Sequence, residues 1–185
     1  MKPRLLPIRI LGDEILRRKL QEVKTFDAEL RDFVADLTHT MYERDGVGLA
    51  ANQVGKDLRI FVMDATWTRD HKGKNPRVMI NPVIEESSGE SVNEEGCISI
   101  PDLYADVTRP SSITYSYYDI EGNKHREMVS GFPAIVFQHE YDHLDGILFI
   151  DKINSLTKLK LKRKLREIEK STVDGVNIRV YEEQD

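Results

Sequence analysis

Gln138-His139-Glu140-Tyr141-Asp142-His143 follows directly on the apolar run Ala134-Ile135-Val136-Phe137, and this stretch decides how the rest of the chain is read. Residues four apart on a helix lie one above the other, with Cβ atoms ~5–6 Å apart. His139 and His143 therefore offer two imidazole nitrogens to one metal ion. Glu140 lies ~100° further round, within reach of a water beside that ion. Two neutral nitrogens suit a borderline-soft divalent cation, and a carboxylate suits proton transfer. The plainer alternative is a solvated helix whose histidines are only surface polar groups. Gly131-Phe132-Pro133 punctuates the helix start, since proline fits a first turn, and Gly146 is placed to end it. With Ile135, Val136 and Phe137 at its opening, the helix should lie deep in the domain.

Two histidines do not complete a catalytic site, which needs a third protein ligand and one open position. Cys97 stands in Glu94-Glu95-Gly96-Cys97-Ile98-Ser99-Ile100-Pro101, about forty residues before the histidines. A lone cysteine beside a glycine is more often a small core residue. Opposite an H-E-x-x-H helix it becomes the best third ligand. It is the only cysteine in the chain, which excludes an intrachain disulfide and fits a reducing cytosol.

The 185 residues suit one domain with a sizeable core. Lys and Arg number 27 against 32 Asp and Glu, leaving a net charge of −5. That balance gives no broad footprint for nucleic acid, and DNA is not an expected partner. No apolar run reaches the ~18 residues of a membrane span, and Met1-Lys2-Pro3-Arg4 is not expected to open a signal peptide.

In chain order, residues 1–24 read as an extended arm with a short helical turn near Asp13 to Arg18. Leu30, Phe33, Val34, Leu37 and Met41 fall at helical spacing behind the candidate caps Thr25 and Asp27, with His39 off the stripe. Gly46-Val47-Gly48-Leu49-Ala50-Ala51-Asn52-Gln53-Val54-Gly55 brings backbone close to something. It has no Gly-Lys-Ser/Thr ending for a phosphate loop. Residues 58–64 predict a buried strand. Residues 65–77 predict a polar loop with Trp67 and His71 in solvent. Val78 to Ile84 predicts a strand whose Asn81-Pro82 puts it near a sheet edge. Strands are expected at 104–107 and 113–118, the second turning at Asp119 to Asn123 into a hairpin that carries an exposed His125. Leu161, Leu165 and Ile168 mark an amphipathic helix over 157–170, rich in Lys and Arg. Residues 171–185 read as a tail, either disordered or ending in a strand at Val176 to Tyr181.

Taken together, Gly46 to Gln53, Glu95-Gly96-Cys97-Ile98-Ser99 and Gln138 to His143 resemble the three motifs of the peptide deformylases, in that family's order and at familiar spacings. The likeness spans most of residues 5–170. It implies an α+β fold, with antiparallel β-sheets packed around a central metal-binding helix and a C-terminal helix after them. One catalytic domain is expected over 1–170, with 171–185 as its tail.

The resemblance also implies a reaction: removal of the N-formyl group from the methionine of newly made proteins, releasing formate, in the cytoplasm. Cys97, His139 and His143 would hold one divalent ion, Fe²⁺ in the cell, with Zn²⁺, Ni²⁺ or Co²⁺ also able to occupy the site. Glu140 would carry the proton. The Gln53 side-chain amide and the Ile98 backbone N–H would face the developing oxyanion. Val47 and Gly48 would pair with the extended N-formylmethionyl peptide, and Val47, Phe132, Ile135 and Val136 would wall its methionine pocket. The basic C-terminal helix would be a docking element for the ribosome. Two other readings stand beside this one. A zincin-type endopeptidase would usually take His or Glu as third ligand. A ribosome-binding module with a structural metal would have no use for a base at Glu140.

Overall fold

The computed structural model describes residues 2–67 and 73–181. Its central sheet is antiparallel with strand order β2-β3-β4-β7-β8, made of β2 (Gly48–Ala50), β3 (Ile60–Met63), β4 (Arg77–Ser88), β7 (Ser112–Tyr118) and β8 (Lys124–Ser130). A separate hairpin joins β5 (Ser91–Cys97) to β6 (Ile100–Arg109). A third, two-stranded sheet pairs β1 (Ile8–Arg9) with β9 (Ile178–Arg179). The helices are α1 (Ala28–Glu43), α2 (Phe132–Leu144) and α3 (Ser155–Glu169). This is the α+β arrangement expected, with α2 laid across β2, β3 and β8.

Each helix forms where capping and periodicity agree. Asp27 is the cap of α1, its Oδ1 accepting from the Leu30 N–H at 2.9 Å. Leu30, Phe33, Val34, Leu37 and Met41 turn inward on one face. Helix α2 starts at Gly131 with Pro133 in its first turn. Phe137, fully buried, packs at a tilt on Tyr115 at 4.0 Å between centroids and meets Phe61 edge-on at 5.0 Å. At the far end, Arg59 Nη1 donates to the Leu144 carbonyl at 3.0 Å and to Asp145 Oδ1 at 2.7 Å. A cation there complements the negative end of the helix dipole. Gly146 follows at φ 71°, where any Cβ would run into the Arg17 carbonyl.

The expected placement of β4 is overturned. It is the middle strand of five, and Pro82 sits inside it. Between Ile80↔Tyr118 and Val83↔Ser116 the strand carries one extra residue, a bulge that absorbs the proline's missing N–H. Asn81, at φ 48°, closes the bulge: its Oδ1 accepts from the Val23 N–H at 2.8 Å and its Nδ2 donates to the Val23 carbonyl at 2.9 Å.

Trp67 also departs from expectation. It is buried against Tyr42, with ring centroids 5.4 Å apart. His71 lies outside the described residues. The tail is ordered through Tyr181 where described, and its short strand is Ile178–Arg179.

Asn81→Ala removes both bonds to Val23 and places a Cβ-bearing residue with no side-chain amide at a positive φ. It should cost ~2–3 kcal/mol, a fall of roughly 5–10 °C in Tm for a chain this size, read by thermal denaturation.

Candidate metal centre and substrate cleft

Helical spacing on α2 stacks His139 and His143 with ring centroids 5.1 Å apart. The end of β5 brings Cys97 to the same point. One donor atom from each of the three lies within 4.8 Å of the others. Bonds of about 2.3 Å to sulfur and 2.0–2.1 Å to nitrogen at the tetrahedral angle would separate S from N by roughly 3.5 Å. Cys97 Sγ stands 3.5 Å from His143 Nε2, so the spacing is already that of two ligands on one ion. The thiol and imidazole donors suit a borderline-soft divalent cation, and the residues fit such a group.

His139 is held by a buried carboxylate that the sequence did not single out as a site residue. Its Nδ1 lies 2.8 Å from Glu95 Oε1, which turns Nε2 toward the other two metal-ligand side chains. Glu95 is gripped from its other side by Arg109, whose Nε and Nη2 donate to the two carboxylate oxygens at 2.6 and 2.9 Å. Arg109 Nη1 reaches on to Asp142 Oδ2 at 2.8 Å. Burial would raise the Glu95 pKa, but the bonds from Arg109 and His139 outweigh it and bring it down to about 2. Burial and the neighbouring His139 push His143 well below the usual imidazole range, keeping it neutral.

Gln53, on the turn Ala51–Val54, is fixed at both ends of its amide. Oε1 accepts from the Ala50 N–H at 2.9 Å, while Nε2 donates to Cys97 Sγ at 3.3 Å and to Ser99 Oγ at 3.2 Å. Ser99, fully buried, is a second group the sequence reading passed over. Ile98 lies in the turn between β5 and β6, beside Cys97.

Glu140 occupies the next position on α2. Burial lifts its pKa to about 7, and Oε2 is buried without a hydrogen-bond partner. The edge strand β2 passes over it at Gly48, where a Cβ would come within 2.6 Å of Glu140 Oε1. Only glycine lets the strand approach so closely.

Above these groups opens a cleft of about 570 Å³. Val47, Gly48, Phe132, Ile135 and Val136, all expected from sequence to touch substrate, lie along it with Gln53, Cys97, Ile98, His139 and Glu140. His143 is behind them, 1% exposed. Along the cleft, β2 has only β3 as a strand neighbour among the described residues.

Residues 5–159 match the family described as polypeptide deformylase. A peptide deformylase of Pseudothermotoga lettingae is 45% identical over 162 residues, covering 87% of this chain and 90% of its own. One from Chlorobaculum parvum is 40% identical over 169 residues, covering 91% and 90%. A crystallised peptide deformylase of Plasmodium falciparum superposes with a TM-score of 0.84 at 42% identity, over 89% of this chain and 95% of that one.

Glu95→Gln leaves Arg109 without its full counter-charge and loosens His139. Metal retention should fall ~10–100-fold in a chelator competition, and the metal-free protein should lose about 3 kcal/mol. Because the folded pKa of Glu95 is depressed to about 2, its contribution is present above the unfolded value of roughly 4.3 and disappears as pH falls through the folded one. The variant should therefore show a shallower acid dependence of Tm.

Proposed function

The chain belongs to the polypeptide deformylase family, and from that premise we propose how its own residues carry out the reaction. It is a hydrolase of this type, removing the N-formyl group from nascent chains. The observation that carries the assignment of roles is Glu140. It is buried, pushed up to about 7, partnerless at Oε2, and set beside three convergent metal-ligand side chains in an open cleft. A structural metal site has no need of such a group, whereas proton transfer near neutral pH requires one.

Cys97, His139 and His143 would hold the metal, with Fe²⁺ as the ion in the cell and Zn²⁺, Ni²⁺ or Co²⁺ as alternatives that the donor set accepts. When bound, the ion supplies a Lewis acid for the formyl group and lowers the pKa of a water toward neutrality. Glu140 takes the proton of the attacking water and returns it to the departing amine nitrogen. The Gln53 Nε2–H, already directed at the thiol, and the Ile98 backbone N–H are the donors for charge building on the formyl oxygen. Gly48, at the start of β2, and Val47 just before it present the outer edge of the sheet to the backbone of an N-formylmethionyl peptide. Val47, Phe132, Ile135 and Val136 wall the pocket for the methionine side chain, which explains why Ile135 and Val136, 4% and 5% exposed, line a cleft while buried.

Residues 1–170 form the catalytic domain in this reading, and 171–185 its tail. The outward face of α3 carries Lys158, Lys160, Lys162, Arg163, Lys164 and Arg166, with Leu156 and Leu159 63% and 66% exposed. It is the surface we assign to ribosome docking, with the cytoplasm as the compartment this reading expects. No helix among the described residues is long and apolar enough to cross a membrane.

Anaerobically prepared protein should release formate from formyl-Met-Ala-Ser with about one metal per chain, as a single three-ligand site requires. Glu140→Ala should abolish release, and Gln53→Ala should lower kcat by ~10²–10³. A folded, metal-loaded sample that releases none would overturn the reading. Lys160→Glu with Lys162→Glu should weaken ribosome co-sedimentation, and unchanged pelleting would remove α3 from the docking surface.

A further inference from the structure

Strand β9 is locked in place by one buried residue. Asn177 Nδ2 donates to the Leu11 carbonyl at 2.8 Å and the Ile168 carbonyl at 3.2 Å, and its backbone N–H donates to Asp13 Oδ2 at 3.1 Å. Its carbonyl accepts from the Ile10 N–H at 2.8 Å. From that anchor the chain runs beside β1 and delivers Tyr181 onto the α1 core. Two guanidiniums lie on the Tyr181 ring: Arg44, just past the end of α1, at 4.1 Å from the centroid, and Arg179 at 5.8 Å. Arg44, Arg179 and Tyr181 border the same cleft as Gly48 and Glu140.

A guanidinium stacked on an aromatic ring spends its face and keeps its in-plane N–H edge for a fork onto a carboxylate. Arg44 Nε is buried, which leaves the two terminal nitrogens as its outer donors. Glu94, Asp102 and, next to Arg44, Asp45 also line the cleft, so attraction for an anion is confined to the guanidiniums of Arg44 and Arg179. We propose that Arg179, Arg44 and Tyr181 form a downstream subsite that favours peptides bearing an acidic side chain beyond the formylmethionine. This rests on the deformylase reading, which sets the peptide in the cleft. It assigns the C-terminal tail a part in substrate choice.

The test uses C-terminally amidated formyl-Met-Ala-Glu and formyl-Met-Ala-Lys, with a second pair carrying Glu or Lys at the fourth residue. Binding is measured by calorimetry on full-length, metal-loaded Glu140→Gln protein, and turnover on the wild type. The acidic peptide of at least one pair should bind ~3–5-fold tighter, as for a partly exposed ion pair. The gain should appear in KM and shrink at high salt. Arg179→Glu should invert the preference and Arg179→Lys keep most of it. Equal affinity within both pairs overturns the proposal, as does a preference that survives Arg179→Glu in a folded protein. If Arg179→Glu does not fold, a preference in the wild type that ignores salt overturns it. Acidic preference in binding without formate release from any peptide would sink the reaction and leave the subsite. Release without preference would do the reverse.

Discussion

The buried carboxylate of Glu95, shared between Arg109 and His139, is the contact on which the centre depends. Among the described residues the β5–β6 hairpin is not hydrogen-bonded into the five-stranded sheet, so the strand ladders do not set where Cys97 lies relative to α2. Besides the Gln53 bonds to Cys97 and Ser99, two things do. One is the apolar cluster of Ile100, Leu103, Val107, Phe149 and Leu165 under the hairpin. The other is the charged chain from His139 through Glu95 and Arg109 to Asp142, which starts and ends on α2. Apolar packing is non-directional and tolerates small slides. A bidentate guanidinium–carboxylate pair is directional and does not. Such a buried pair is weak evidence for stability, since desolvation offsets its attraction. Its value here is geometric: it fixes which imidazole nitrogen faces the thiol.

The same economy of positions runs along α2. In its first half Ala134, Val136 and Phe137 pack with residues of the sheet, and its second half turns His139 and Glu140 into the cleft. The helix is held at its far end by Arg59 and overlain by a glycine strand edge. Glu140 is thus caught between a rigid helix and a backbone that can come close only because Gly48 has no side chain. Preorganisation of this kind removes the cost of ordering the proposed base during the reaction.

Much of this was legible in the sequence because it is local or motif-borne. Periodicity gave α1 and α3, alternation gave the β7–β8 hairpin, and the histidine spacing gave two ligands on one helix face. Cys97 stood out because the chain has no other thiol. The misreadings have physical causes. Pro82 was placed near an edge because proline cannot donate to a ladder, but a one-residue bulge braced by Asn81 solves the same problem inside the sheet. Trp67 was lost in a polar stretch because its partner Tyr42 belongs to α1. Glu95 sits in a strand of alternating polarity, and its partners Arg109, His139 and Asp142 lie on other elements, so no local pattern marks it as more than a surface acid. Ser99 and Gln53 meet only once the fold brings their loops together.

The pairing of Ile8 with Arg179 joins the earliest described strand to the last. Closing so long a loop is slow, because its entropy must be given up before the contact rewards it. During synthesis β1 therefore waits with an open edge while α1, both larger sheets and the metal-ligand helix are completed ahead of its partner. The wall of the cleft that carries Tyr181 is consequently the last part to assemble. An enzyme that acts on chains still leaving the ribosome thus finishes its own cleft only once the segment following α3 has emerged.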